Sequence, residues 1–429
     1  MMRVASSARR SPRFVSKGFL AASVATVFAP GLALAQDGVA TSGRALAVEP
    51  FVALRETLTN NYRLTTNSES DAITELTGGL RVTVNGGVLR GFLDYALTGE
   101  VYASHSDSNG VRHNLHSAST AELIQGFAFV DVFASIDQQV ISAFGTQSPY
   151  PGLDNSNEAD TATISIAPSL RGQVGSVARY EARVYYQMTR TEGPSESDVD
   201  IAEASLRLEG NVAGSGLGWN VNASHNITDY LSGRRTYLDR VYAGVNYEFT
   251  PELKLGVRGG QERTDLLTLA GDTYTTWGVG IDWKPSERTS LEAGVERRFF
   301  GTAHNLAFSL RTPNTVWTLS DRRDLNTSQQ QGTAGFGSAY DLFSRQLTSA
   351  EPDAVKRDVL VRNFLQANGI DPRSTVIDGF LASAVMVESR QELSVALVGA
   401  RNTVTLRAGA SRSERVDQLS TSFDDLSAT

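Results

Sequence analysis

Downstream of residue 35, apolar residues recur at every second position, segment after segment, with polar and charged residues on the opposite parity. Leu76, Gly78, Leu80, Val82 and Val84 share one parity, and Thr77, Gly79, Arg81 and Thr83 share the other. Asn85-Gly86-Gly87 then reverses the chain into Leu89, Gly91, Leu93, Tyr95, Leu97, Gly99 and Val101, which alternate with Arg90, Asp94, Thr98 and Glu100. A period of two puts successive side chains on opposite faces of a strand, so this stretch reads as a long antiparallel hairpin with one apolar face. The same grammar recurs in Ala178 to Met188 against Arg179, Glu181 and Arg183, and in Ala202 to Gly210 against Glu203, Arg207 and Glu209. Seventeen such segments run from one centred near Val52 to one near Leu406. The weakest lie near Ala118 and Leu319.

Connection length adds a second regularity. Brief turns at Asn85-Gly86-Gly87, Ile124-Gln125-Gly126, Gly172 to Ser176, Asn211 to Gly216, Thr250-Pro251-Glu252, Lys284 to Arg288, Pro313-Asn314 and Ala400 to Asn402 alternate with mostly longer polar loops, such as Asn61 to Ser70 and Gln139 to Asp160. The connection around Gly301-Thr302 is the short one on the loop side. Short periplasmic turns and long extracellular loops are the habit of outer-membrane barrels, and a soluble sandwich has no reason for it. Each segment also has about the 9 to 11 residues that a tilted strand needs to cross the bilayer.

The first 35 residues differ from the rest. Arg3, Arg9, Arg10, Arg13 and Lys17 precede an apolar run from Gly18 to Ala29 and a small-residue site at Ala33-Leu34-Ala35. Such a run is too short for a spanning helix, which needs roughly 20 residues. The stretch therefore reads as a secretory signal cut after Ala35. The chain carries −8, and since residues 1–35 carry +5 the remainder carries −13. An acidic exported chain has no electrostatic case for nucleic acid. Cysteine is absent, which removes disulfides, thiolate metal sites and a lipidated N-terminal cysteine.

The expected fold is all-β, a transmembrane antiparallel up-and-down barrel of about 18 or more strands, held in outer-membrane lipid. Residues 36–47 form a periplasmic segment, 48–322 strands 1–15, 323–391 a partly helical extracellular insert, and 392–429 the last two strands and an outer loop. Within the insert, Glu351-Pro352 opens a helical run with Val355, Val359, Phe364 and Leu365 on one face. A second carries Ile377, Phe380, Leu381 and Ala384. This insert either caps the lumen or plugs it. An odd strand count leaves the last strand pointing outward, and bacterial barrels have even counts, so either a weak segment is miscounted or a closing strand follows Thr429.

Parity assigns side chains to faces. Arg81, Arg90, Asp94, Asp131, Arg179, Glu181, Arg183, Glu203, Arg207, Arg258, Glu292 and Glu296 are expected to line the lumen. They serve either as a selectivity lining for a polar polymer or as a salt-bridged filling. Trp219, Phe249, Trp283 and Trp317 share the apolar parity beside short turns and form the expected periplasmic aromatic girdle; ordinary core aromatics are the alternative. The five histidines show neither metal spacing nor a lumenal mid-strand position, so no metal, cofactor or catalytic residue is expected. The glycine pairs in Gly256 to Gly260 and Gly332 to Gly337 open no helix after a parallel strand, which excludes a phosphate loop.

On AELIQGFAFVDVFASIDQQVISAFGTQ (Ala121 to Gln147), WGVGIDWKPSERTSLEAGVERRFFGTAHNLAFSLRTPNTVWTLS (Trp277 to Ser320) and the stretch from Asn368 to Leu406, the chain resembles the PEP-CTERM system-associated outer-membrane protein family. The resemblance covers roughly Val48 to Arg415 and is carried by long stretches of generic barrel wording. It implies an exosortase- and exopolysaccharide-linked barrel, a conduit or scaffold for polysaccharide or sorted surface proteins, with export components as partners. It carries over no catalytic residue. The alternatives are a general diffusion porin and, in third place, an outer-membrane enzyme.

Overall fold

The computed structural model describes residues 25–27, 46–140, 153, 156–192, 198–231, 233–326, 361, 385–399 and 403–416. After a three-residue strand β1 (Ala25–Val27), the first half of the sheet comprises β2 (Leu46–Thr59), β3 (Asp71–Asn85), β4 (Leu89–Tyr102), β5 (Gly110–Ile124), β6 (Ala128–Val140), β7 (Glu158–Val174), β8 (Ala178–Thr191) and β9 (Val199–Val212). The second half comprises β10 (Leu217–Tyr230), β11 (Arg235–Thr250), β12 (Leu253–Thr264), β13 (Asp272–Ser286), β14 (Thr289–Arg298), β15 (Gly301–Arg311), β16 (Thr315–Asn326), β17 (Met386–Val398) and β18 (Thr403–Arg415). The seventeen long strands fall on the seventeen segments of the alternating pattern, including the two weak ones, now β5 and β16.

Each long strand pairs antiparallel with its sequence neighbour, so β2 to β18 form one up-and-down sheet. Among the described residues no register joins β18 back to β2. The outer edge of β2 instead carries β1, from inside the predicted signal, opposite Leu54–Glu56.

Most strands exceed the crossing length, with a range from 10 residues in β14 to 17 in β7. The excess comes mainly from the loop-side ends. The connection between β10 and β11 is only four residues long because β10 runs on to Tyr230 and β11 starts at Arg235. The short connection expected around Gly301-Thr302 is instead Phe299-Phe300, and Gly301 already begins β15. At the turn after β9, Gly214 and Gly216 take φ of 71° and 69°, a left-handed backbone that suits glycine. The two helical runs expected in the insert lie outside the described residues, except for Val361, which is helical and buried. Most of the Gln139 to Asp160 loop and the predicted tail after Val416 also lie outside them.

Two faces result. Val245, Val257, Val279 and Val295 pair in one row across β11 to β14 and are 44–60% exposed. A continuous apolar face left this open needs a non-aqueous neighbour. The opposite parity is concave, because Arg240 on β11 reaches Glu296 on β14 across two intervening strands.

Candidate functional site: the ionised inner face

In the first half of the sheet, neighbouring strands place opposite charges side by side on the inner parity. Arg81 Nε donates to Asp94 at 2.7 Å, and Arg112 reaches Glu75 at 3.2 Å and Glu100 at 2.7 Å. Arg183 lies 3.5 Å from Asp131 across β7, Glu181 accepts from Arg171 at 3.3 Å, and Glu209 holds both Arg179 at 3.5 Å and Arg207 at 2.9 Å. Most of these pairs are partly solvated, a setting in which each contributes about 0–1 kcal/mol, whereas Glu75 is buried and its partner Arg112 largely covered.

The second half holds a deeper network. Glu262 is fully covered and lies 3.2 Å from the Arg240 guanidinium and 2.6 Å from that of Arg298. Arg298 also reaches Asp324 at 2.6 Å, while Glu296 accepts from Arg240 and lies 3.0 Å from Arg258. Burial strengthens these attractions and equally penalises any member left alone. Beside the network is a cavity of about 260 Å³. Glu203, Asn226, Thr228, Arg240, Arg298, Arg322 and Asp324 supply its polar wall, and Leu238, Leu266, Leu325 and Val385 its apolar wall.

All twelve expected lining residues lie on the inner parity, though in different settings. Arg81, Asp94, Asp131, Arg183, Arg258 and Glu296 sit in ion pairs and Glu203 lines the cavity. Arg179, Glu181, Arg207 and Glu292 lie toward the short-turn end, and Arg90 donates to the Gly86 carbonyl. Glu292 is exposed and has no ion pair among the described residues. The list omits Glu262, Arg240, Arg298, Arg322 and Asp324, which the structure brings together. Their parity was readable, but β12, β14 and β16 each run beyond the apolar segment that identified them.

The girdle residues occupy the outward face by the short turns. Trp283, Trp317 and Phe249 are exposed there, and Trp219 lies over Gly210. A Cβ on Gly210 would come within 2.8 Å of the Trp219 ring and 2.2 Å of the Val177 carbonyl, so this close approach requires glycine. Trp277, which the short-turn rule passes over, is 56% exposed at the other margin of the apolar band.

Each histidine has a partner. His113 bonds Tyr95 at 2.8 Å, His116 Asp137 at 2.8 Å and His304 Asp321 at 3.1 Å, and His225 bonds Asp239. Among the described residues no three His, Asp or Glu side chains are grouped to hold a metal. His105 stacks on Tyr62 at 4.3 Å, beside a buried cluster of Tyr62, Ile73, Tyr102 and Leu153 at the loop end.

There Asp71 bonds His105 Nδ1 at 2.7 Å and accepts from the N–H groups of Ser104 and Ala72 at 2.9 and 2.8 Å. Burial pushes its carboxyl up, but these hydrogen bonds together with the His105 charge outweigh burial and hold it below its ordinary value. A depressed carboxylate stabilises the fold above its unfolded pKa, near ~3.9, and that contribution is lost as pH falls through the lower folded value. Hydrogen exchange at residues 61–73 is therefore expected to accelerate below about pH 4. Asp71→Asn should flatten that dependence. An unchanged pH profile in the variant would refute the role given to this carboxylate.

A second apolar cluster joins the loop-side ends of strands that are not neighbours: Val199, Ile201 and Tyr230 from β9 and β10 with Leu266, Phe299, Val385, Val387 and Val416. It adjoins the cavity through Leu266 and Val385. Val387 and Leu325 lie on the outward parity of their strands and still join or pack against this cluster, so the strict face rule lapses at the far ends of β16 and β17.

No family model and no curated protein matches the chain. Its fold is similar to that of the FrpB iron transporter from Neisseria meningitidis, with a TM-score of 0.43 and 10% identity over 87% of this chain and 62% of that one. It is also similar to the siderophore receptor PirA from Pseudomonas aeruginosa (TM-score 0.41, 10% identity, 87% of this chain and 67% of that one). A third likeness is to the copper transporter OprC (TM-score 0.37, 8% identity, 86% and 70%). The chain spans less than two thirds of the FrpB structure. By its own registers and its two faces, the chain is all-β, an antiparallel up-and-down sheet of the outer-membrane barrel kind.

Proposed function

We propose that this chain resides in the outer membrane as a conduit or scaffold for cell-surface polysaccharide, or for sorted surface proteins of the PEP-CTERM type, and performs no covalent chemistry. The observation that carries the reading is the pairing of a lipid-demanding outer face with an inner cavity that sets guanidinium, carboxylate, amide and hydroxyl groups beside leucines. A sugar ring presents alternating donors and acceptors around its edge and C–H groups on its faces, which is what such a wall matches. The resemblance on Ala121 to Gln147 and Trp277 to Ser320 supports the same assignment.

General diffusion needs a wetted path. The apolar cluster of Val199, Ile201, Tyr230 and Phe299 works against one, since a hydrophobic constriction gates by dewetting. The wild-type protein is expected to fractionate with outer membrane, to shift in gel mobility between unheated and boiled samples, and to conduct poorly in planar bilayers. Ile201→Asp should raise conductance by wetting the constriction. Deleting the gene should deplete surface polysaccharide or sorted protein. Recovery as a soluble periplasmic monomer defeats the membrane reading; an open wild-type pore with a normal cell surface defeats the conduit reading in favour of a porin.

A further inference from the structure

On the outward face, at the loop-side ends of the second half of the sheet, stand Arg235 on β11, Arg263 on β12, Arg297 on β14 and Arg323 on β16. Each lies within three residues of its strand's loop-side end. Arg235, Arg263 and Arg297 are exposed and form no ion pair among the described residues. Arg323 donates to the Thr302 carbonyl and lies 5.5 Å from the Phe300 ring. Asp229 stands opposite Arg235 and Asp239 opposite Arg263 in the registers without forming an ion pair with either, and Asp239 and Asp321 bond His225 and His304 instead. The exposed Trp277 is the direct register partner of Arg297, which fixes the arc at an apolar–aqueous boundary.

The arc is one-sided. All five arginines of β2 to β7, namely Arg55, Arg81, Arg90, Arg112 and Arg171, lie on the inner parity. The outward loop-side ends there show Glu56, Glu158 and Asp160. In a chain of net charge −8, an outward group of arginines that form no ion pair runs against the general balance.

We propose that this arc binds the phosphates of a multiply phosphorylated glycolipid in the outer leaflet, an inference that rests on the membrane reading above. Guanidinium forks suit phosphate oxygens, and desolvation at a lipid boundary strengthens the contact. Neighbouring strands lie about 4.8 Å apart, so Arg263 and Arg297, two strands apart, are at least roughly 10 Å apart. That span exceeds one phosphodiester headgroup and fits a sugar carrying phosphates at separate positions. The glycolipid would then sit on one flank of the sheet only.

The test uses the full-length mature protein, reconstituted in phosphatidylcholine vesicles with and without lipid A, beside the triple variant Arg235→Gln, Arg263→Gln, Arg297→Gln. Insertion is read by heat-modifiable mobility and retained lipid A by native mass spectrometry. Retained lipid A and a raised unfolding temperature are expected for the wild type alone, with both proteins inserting. Insertion of both with equal lipid A retention overturns the inference and leaves the membrane reading standing. Failure of the wild type to insert into either vesicle overturns both.

Discussion

Glu262→Ala is expected to cost about 3–5 kcal/mol of stability, because it strands buried guanidinium groups that the carboxylate now neutralises. Arg298 is nearly as covered as Glu262, and it keeps only Asp324 once Glu262 is gone. The backbone N–H of Phe299 also loses the Glu262 oxygen it donates to at 3.4 Å. Denaturant unfolding of the detergent-solubilised protein measures the loss. Glu292→Ala provides the contrast, since Glu292 is exposed and unpaired among the described residues, and it should change stability by less than about 0.5 kcal/mol. If the two variants proved equally stable, the buried network would have no special standing.

Val257→Arg should block insertion or cost about 2–4 kcal/mol, the price of a guanidinium near the bilayer midplane. Val257 pairs with Val245 on one side and Val279 on the other, between the levels of Trp277 and Trp283. The next residue, Arg258, points to the other face and shares Glu296 with Arg240, so Arg258→Ala leaves that carboxylate with a partner. Its effect should be much the smaller. Folding into vesicles, followed by gel mobility, separates the two, and comparable defects would mean that the faces are misassigned.

The strands were legible because a period of two survives any tertiary detail: Leu76 to Val84 and Leu89 to Val101 announce β3 and β4 without reference to the rest of the chain. The glycine-bearing turns were legible for a similar local reason. Strand ends were not, since Glu262 and Arg298 lie where outward neighbours such as Arg263 and Arg297 are themselves polar and the contrast between faces disappears. The buried network was hidden for a further reason. Its members come from β11, β12, β14 and β16, and only sheet curvature brings Arg240 to Glu296. No spacing within a single segment encodes that meeting.

The valine row also bears on how faithfully the sheet assembles. Sliding β12 by one residue against β11 would send Arg258 and Glu262 toward lipid and Val257 toward the charged interior, so a mispaired strand is penalised on both faces at once. β5 has the weaker form of this safeguard. Its outward residues include His113, Ser117 and Ser119, its inward ones include Ala118, and its pairing with β6 already shifts register between Glu122 and Ile124. Slippage during assembly should therefore concentrate at β5, where an error is opposed mainly by the inner-face pairs of Arg112 with Glu75 and Glu100, and Ser117→Leu with Ser119→Val is expected to raise the yield of correctly refolded protein by adding an outward contrast that rejects it.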